Sequence, residues 1–165
     1  MRLIKLWDSD LNKAYQLHQE IGLDENGFSN SANGIDLKAF REYVYDKKYR
    51  ETGERLPNGF VPDTTYVLEN DDGEYVGVFN LRHYLNKFLE NGPGHIGYAI
   101  SNKYRKMGYG TKGLALTLIE AKKLGIDVAY MSCYKDNIGS LKVQLNNGAY
   151  IDREDDFSYY TKVKL

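Results

Sequence analysis

The sequence predicts an α/β fold, a mixed, mostly antiparallel central sheet with helices on both faces. Three observations predict it. Short runs of β-formers alternate with longer stretches whose apolar residues recur at helical spacing. Asn70-Asp71-Asp72-Gly73, a tight-turn signal, separates two of those runs and makes them a hairpin. From His95 onward the order is strand, helix, strand, helix, strand. The chain has 165 residues, the size of one domain, and one domain over residues 1–165 is expected.

Each element has a local reason. Leu3 to Trp7 is a short apolar first strand. Asp8, Ser9 or Asp10 can cap the helix that follows, because their oxygens accept from N–H groups with no partner in the first turn. Leu11, Ala14, Tyr15, His18 and Ile21 fall on one helical face, and Gly22 stops it. A polar loop runs from Asp24 to Gly34. A second helix starts near Asp36, with Leu37, Phe40 and Val44 on one side. Arg50 to Pro62 holds Gly53, Pro57, Gly59 and Pro62 and is expected to be a loop. Thr64–Leu68 and Tyr75–Phe79 form the hairpin. Asn91-Gly92-Pro93-Gly94 turns into a strand at His95–Ile100. A long helix from Tyr109 to Leu124 buries Leu114, Leu118, Ala121 and Leu124 and ends at Gly125. Val128–Cys133 is expected to be a continuously buried strand. A helix over Gly139–Asn146 stops at Gly148, and Phe157–Leu165 alternates as a last strand.

Composition excludes several function classes. Lys and Arg number 22 against 23 Asp and Glu, a formal net charge of −1, without the basic excess of a dedicated nucleic-acid binder. No apolar run approaches the roughly 20 residues that cross a bilayer. The apolar stretch near Met1 is too short for a signal peptide. A single cysteine, Cys133, leaves no internal disulfide and points to a reducing, cytoplasmic setting. Three His and one Cys without ligand spacing argue against zinc.

The most informative stretch is Ser101 to Thr111, a strand-to-helix connection ending in Gly108-Tyr109-Gly110. Glycines at i and i+2 let backbone turn tightly and approach a ligand closely. The first turn of the helix carries unpaired N–H groups and the positive end of the macrodipole. Such a loop suits a phosphate or pyrophosphate. Residues 91–119 contain no Asp or Glu but include Lys103, Arg105, Lys106 and Lys112. Gly108 to Gly113 also matches G-x-G-x-x-G, with Asp127 near the spacing of a ribose-binding acid. Seven residues, however, separate Gly108 from its strand, and Asp127 precedes the next strand instead of closing it. No Walker G-K-[ST] is present.

Arg105-Lys106-Met107-Gly108-Tyr109-Gly110 resembles the R/Q-x-x-G-x-G/A signature of the GNAT (Gcn5-related) N-acetyltransferases. Asn137-Ile138-Gly139-Ser140 and Asn147-Gly148-Ala149 resemble that family's second block, and the element order fits its fold. Pro57–Thr65, Leu81–Asn86 and Gly94–Tyr98 look like a branch of predicted acetyltransferases without settled substrates. The resemblance implies acetyl-CoA as co-substrate, lying where the His95–Ile100 strand splays from Val128–Cys133. It implies that the amides of Lys106, Met107, Gly108, Tyr109, Gly110 and Thr111 cradle the pyrophosphate beside Arg105. It implies that the backbone of Tyr98, Ala99 and Ile100 pairs with the pantetheine arm, which Asn137 and Ser140 meet from the other side. The acceptor implied is a primary amine of a small molecule or peptide, attacking directly in a ternary complex, with neither nucleic acid nor membrane as partner and a homodimer left open.

Acetyl transfer needs a neutral amine, a stabilised oxyanion and a tolerable thiolate leaving group. The family often protonates that thiolate with a Tyr seven residues after the Asn. That position here is Gln144, which cannot act as a general acid. Tyr134 is the substitute candidate. His83 and His95 are the candidate bases, since imidazole titrates near neutrality, although alternation from Val76 puts His83 on the face of Phe79 and Leu81. His18 falls in a helical stripe and is expected to be structural. Cys133 is a nucleophile by type and a small buried strand residue by position. The acidic run Asp152, Glu154, Asp155 and Asp156 suits a solvated turn. Gln144 also leaves open a non-catalytic acyl-CoA sensor. The Asp24–Gly34 and Arg50–Pro62 loops are best placed to line an acceptor pocket.

Overall fold

Nine strands and five helices follow one another in the structure, a computed structural model that describes residues 1–165. β1 (Arg2–Lys5) leads through a 3-10 turn into α1 (Leu11–Glu20). Asp10 is the cap that forms, its carboxylate accepting from Asn12 N and Lys13 N at 3.0 Å. The expected loop after α1 contains a small hairpin, β2 (Asp24–Glu25) and β3 (Phe28–Ser29), turned by Asn26 and Gly27, both with positive φ. α2 (Leu37–Glu51) is capped by Asp36, which accepts from Ala39 N at 2.8 Å. β4 (Asp63–Glu69) and β5 (Tyr75–Arg82) form the predicted hairpin, and Asn70 Oδ1 closes its turn by accepting from Asp72 N and Glu74 N.

Two further short elements escape the sequence reading: α3 (Lys87–Asn91), one capped turn, and β8 (Tyr150–Glu154). Between them lie β6 (Ile96–Ile100), α4 (Tyr109–Lys123), β7 (Val128–Tyr134) and α5 (Ile138–Asn146). β9 (Ser158–Lys164) closes the chain.

Every ladder is antiparallel, and the strands form two main sheets, β1-β4-β5-β6 and β7-β9-β8. The sheets touch at one end only. His95 N donates to Tyr130 O at 2.7 Å and Gly94 bridges Met131. Gly94 has φ +70, and a Cβ there would overlap Tyr130 O, so the contact requires glycine. Beyond it β6 and β7 part and leave a wedge.

Helices cover both faces of the four-stranded sheet, as predicted. Phe79 and Leu81 pack under Leu114, Leu118 and Ala121 of α4. Val67, Val78 and Ala99 pack on the other face with Phe40 and Val44 of α2. Leu124 is 46% exposed, so it falls off the predicted stripe of α4. β7 alternates between half-buried and buried positions instead of being continuously buried. Ala129, Met131 and Cys133 face inward, because successive side chains point to opposite faces and only one face of β7 is packed on the core.

Candidate functional site

The wedge opens into a cleft of about 1260 Å³ that runs from the α4 N-terminus to α2. Its first half is built by the Gly108 loop. Lys106 and Gly108 both take positive φ, 63° and 83°, which curls the backbone into a concave turn. The first bond of α4 is Lys112 N to Gly108 O at 3.1 Å. The N–H groups of Lys106 through Thr111 find no acceptor in the protein. That row of unsatisfied donors at a helix N-terminus fits a pyrophosphate. Gly110 permits close packing, since a Cβ there would lie 3.1 Å from Val143 Cγ2 of α5. Met107 and Tyr109 contribute backbone only. Met107 is exposed, Tyr109 packs edge-on against Tyr104, and neither side chain lines the cleft.

The acid-free window of the sequence is partly neutralised in space. Lys103 pairs with Glu20 at 2.7 Å and Arg105 pairs with Glu25 at 2.8 Å, while Arg105 Nε also donates to Ile100 O at 3.0 Å. The Arg105 guanidinium holds the Glu25 carboxyl below the usual carboxylate range. Lys106 and Lys142 line the cleft without a carboxylate partner.

The middle of the cleft is the free edge of β6. Toward β5 the odd residues bond, as in Ser101 N to Val76 O and His95 O with Arg82 N. The alternation of an antiparallel ladder therefore turns the N–H and C=O of Tyr98 and Ile100 to the open side. That edge suits an extended chain carrying amides. Tyr98 stacks on Phe79 at 5.4 Å, and its hydroxyl bonds Ser140 Oγ at 2.9 Å. Burial pushes the Tyr98 phenol up to about 12, so it is a fixed wall. Asn137 caps α5 by accepting from Ser140 N at 3.1 Å. Gln144 is 1% exposed, donates to Ser132 O and accepts from Thr161 Oγ1 at 2.7 Å. It is committed to tying α5 to the second sheet.

Tyr134 ends β7 at the cleft and is 46% exposed. Its ring lies over the β2–β3 turn, where a Cβ on Gly27 would come within 3.1 Å of it. The hairpin thus spans the cleft mouth, with Glu25 on Arg105, Gly27 under Tyr134 and Phe28 against Gly97. Cys133 also faces the cleft, but burial pushes its thiol up to about 11, which keeps it protonated at neutral pH.

The two histidines lie elsewhere. His83 Nε2 bonds Thr64 Oγ1 at 2.8 Å, on the α4 face of the sheet, and burial lowers its pKa. His95 accepts from Tyr130 N at 3.0 Å, and burial lowers its pKa to about 4. Neither lines the cleft, and both line a separate shallow pocket beside Leu124–Val128. The acidic run is spent locally. Asp152 and Glu154 belong to β8 and pair with Lys162 and Lys135, and Asp155 accepts from Phe157 N and Ser158 N.

The second half of the cleft holds residues the sequence reading did not single out. Tyr43, Lys47 and Arg50 project from one face of α2. Asp63 and Thr65 on β4 lie opposite Arg82 and Asn80 on β5, all four on the α2 face of the sheet. The available signal was polar residues at i and i+2 in two paired strands whose continuation, Val67 and Val78, is core. Glu25–Ser31 and Gly59–Val61, from the two loops expected to line an acceptor pocket, complete the walls.

No curated protein matches the sequence. Solved structures match the fold over nearly its whole length. The GNAT domain of S. lividans PAT superposes with a TM-score of 0.67 at 13% identity, covering 99% of this chain and 90% of that one. Campylobacter jejuni N-acetyltransferase PseH, solved with acetyl coenzyme A, gives 0.65 at 14% identity, covering 99% and 97%. The ribosomal L7/L12 alpha-N-protein acetyltransferase RimL, solved with coenzyme A, gives 0.68 at 15%, covering 99% and 93%. The family model for an acetyltransferase (GNAT) domain matches residues 3–149. The chain therefore belongs to the GNAT acetyltransferases, enzymes that draw an acetyl group from acetyl-CoA.

Proposed function

We propose that the protein transfers acetyl from acetyl-CoA to a primary amine of a small molecule or peptide, by direct attack within a ternary complex. The observation that carries this reading is the single cleft that joins the unsatisfied amides of Lys106–Thr111, the free edge at Tyr98–Ile100 and the pocket beneath α2. Donor and acceptor can then occupy one cleft at once, which is what direct transfer needs. Acetyl-CoA supplies the acyl group: a C–N bond forms as the C–S bond breaks, coenzyme A leaves as a thiolate, and the amine nitrogen sheds one proton. The Lys106–Thr111 amides hold its diphosphate, and the Ile100 region polarises the thioester carbonyl. The protonated Cys133 thiol supports attack by the amine itself over an acetyl-enzyme. Tyr134 is the phenol at the cleft that can give a proton to the thiolate, since Gln144 cannot.

Titration calorimetry with acetyl-CoA, followed by free-thiol release across a panel of amines, tests the reading. Binding and thiol release are expected. No binding at millimolar acetyl-CoA overturns it, and binding without thiol release to any amine favours an acyl-CoA sensor. Gly108→Glu should abolish binding, because it forces a side chain into φ +83 and sets a carboxylate beside the diphosphate.

A further inference from the structure

The α2 half of the cleft carries more positive charge than it can neutralise. Three cations line it, Lys47, Arg50 and Arg82, and among them stands one carboxylate, Asp63, since Glu25 at the cleft mouth is paired with Arg105. Asp63 is already engaged, accepting from Lys47 Nζ at 3.1 Å and, by a short contact, from Asn80 Nδ2. Arg82 reaches only a backbone oxygen, Gly94 O at 3.0 Å. Arg50 donates no hydrogen bond: its Nε is buried without a partner, and the guanidinium meets only the Phe60 ring, 5.7 Å to the centroid. The cations act on one another as well. Burial lowers the Lys47 pKa, Asp63 raises it, and Arg50 and Arg82 lower it again. Burying like charges is costly unless an anion joins them. A guanidinium with free donors beside an aromatic ring is matched by a planar or tetrahedral oxyanion.

We infer that the acceptor carries, besides its amine, a carboxylate or phosphate that docks between Lys47, Arg50 and Arg82. This rests on the reading of the α2 half as the acceptor's place. The anionic group then acts as a handle that orients the amine toward the free edge of β6, and it discriminates against polyamines and neutral amines. One carboxylate for three cations leaves a net charge of two, which a phosphate dianion meets in full and a carboxylate in half, and the test separates them.

The test uses the full chain saturated with coenzyme A, so that the Gly108 loop is filled and cannot bind the probes. Glycine is compared with glycinamide, and 2-aminoethyl phosphate with ethanolamine, by equilibrium titration. Amide chemical shifts locate each probe. In at least one pair the anionic member should bind at least tenfold more tightly, and the responding pair identifies the oxyanion. Its shifts should centre on Tyr43, Lys47, Arg50 and Arg82. Arg50→Met should erase the preference and Arg50→Lys restore part of it, with coenzyme A affinity unchanged in both. Should Arg50→Met not fold, the shift map of the wild-type protein decides alone. Equal binding within both pairs, or shifts centred outside the α2 half, overturns the inference. The acetyl-transfer reading fails separately. An anion preference without thiol release refutes transfer and leaves the subsite standing, whereas thiol release with neutral amines as good as anionic ones refutes the subsite alone.

Discussion

At the scale of single residues, Tyr134 is proposed to carry the chemistry that the family would place seven residues after Asn137. The substitution of Gln144 at that position is not a vacancy. Its amide is bonded at both ends, to Ser132 O and Thr161 Oγ1, so the side chain serves packing between α5 and β9. In that proposal a phenol protonates the departing thiolate, and Tyr134 is the exposed one at the cleft. Tyr134→Phe keeps the ring over Gly27 and removes only the hydroxyl. General acids contribute on the order of 10²-fold or more. The expected result is a fall in kcat of about that size with acetyl-CoA Kd unchanged, read by thiol release and calorimetry. An unchanged kcat would leave the ring nothing but its contact with the β2–β3 turn.

At the scale of elements, legibility in the sequence follows locality. Asp10, Asp36 and the Asn70–Gly73 turn were readable because each device closes within four residues. So was the Gly108 loop, because its glycines and the unpaired amides of the helix start are adjacent in sequence. β8 was not, because all five residues are exposed and include Asp152, Arg153 and Glu154. It is a strand only through its pairing with β9, with a bulge between Ile151 and Arg153. The Lys47–Arg50–Arg82 cluster joins a helix to a hairpin strand and has no sequence spacing to betray it. Tertiary contact also decides Gly113. In mid-helix, Gly→Ala gains about 1 kcal/mol of propensity. Here a Cβ would overlap the ring of Phe79, itself fully buried, and sit 2.9 Å from Leu68 Cδ2. Overpacking costs about 1–3 kcal/mol. Gly113→Ala should therefore lose about 1 kcal/mol net in urea unfolding. A stabilised variant would show that the ring yields.

At the scale of the whole molecule, the two buried histidines make stability depend on pH. His18 lies under α2 at 1% exposure, its Nδ1 bonded to Asn30 Oδ1 at 2.9 Å and its Nε2 without a partner. Because Asn30 Oδ1 also accepts from Ala32 N while Asn30 Nδ2 donates to two carbonyls, Nδ1 carries the proton and the ring is neutral. Burial lowers its pKa to about 4, and Lys47 adds to the shift. His95 sits where the two sheets meet, accepting at Nδ1 from Tyr130 N, and burial with Arg82 lowers it to about 4 as well. Both values lie below the ordinary 6.5. Between pH 6.5 and 4 the unfolded chain therefore binds protons that the folded chain refuses, and the unfolding free energy falls as pH falls. Each histidine contributes its full stability above pH 6.5 and loses on the order of 3 kcal/mol by pH 4. Against a total of about 5–15 kcal/mol for a domain, the pair suffices to bring the protein near unfolding in mild acid. Urea unfolding at pH 7.5, 6.0, 5.0 and 4.5 should give a free energy that declines steadily across that window. His18→Leu should reduce the slope by up to half, the rest being carried by His95 and by His83, whose pKa burial also lowers, whatever its effect on stability at pH 7.5. A slope that is flat in the native protein, or unaltered in the variant, would mean that His18 reaches water before the fold opens.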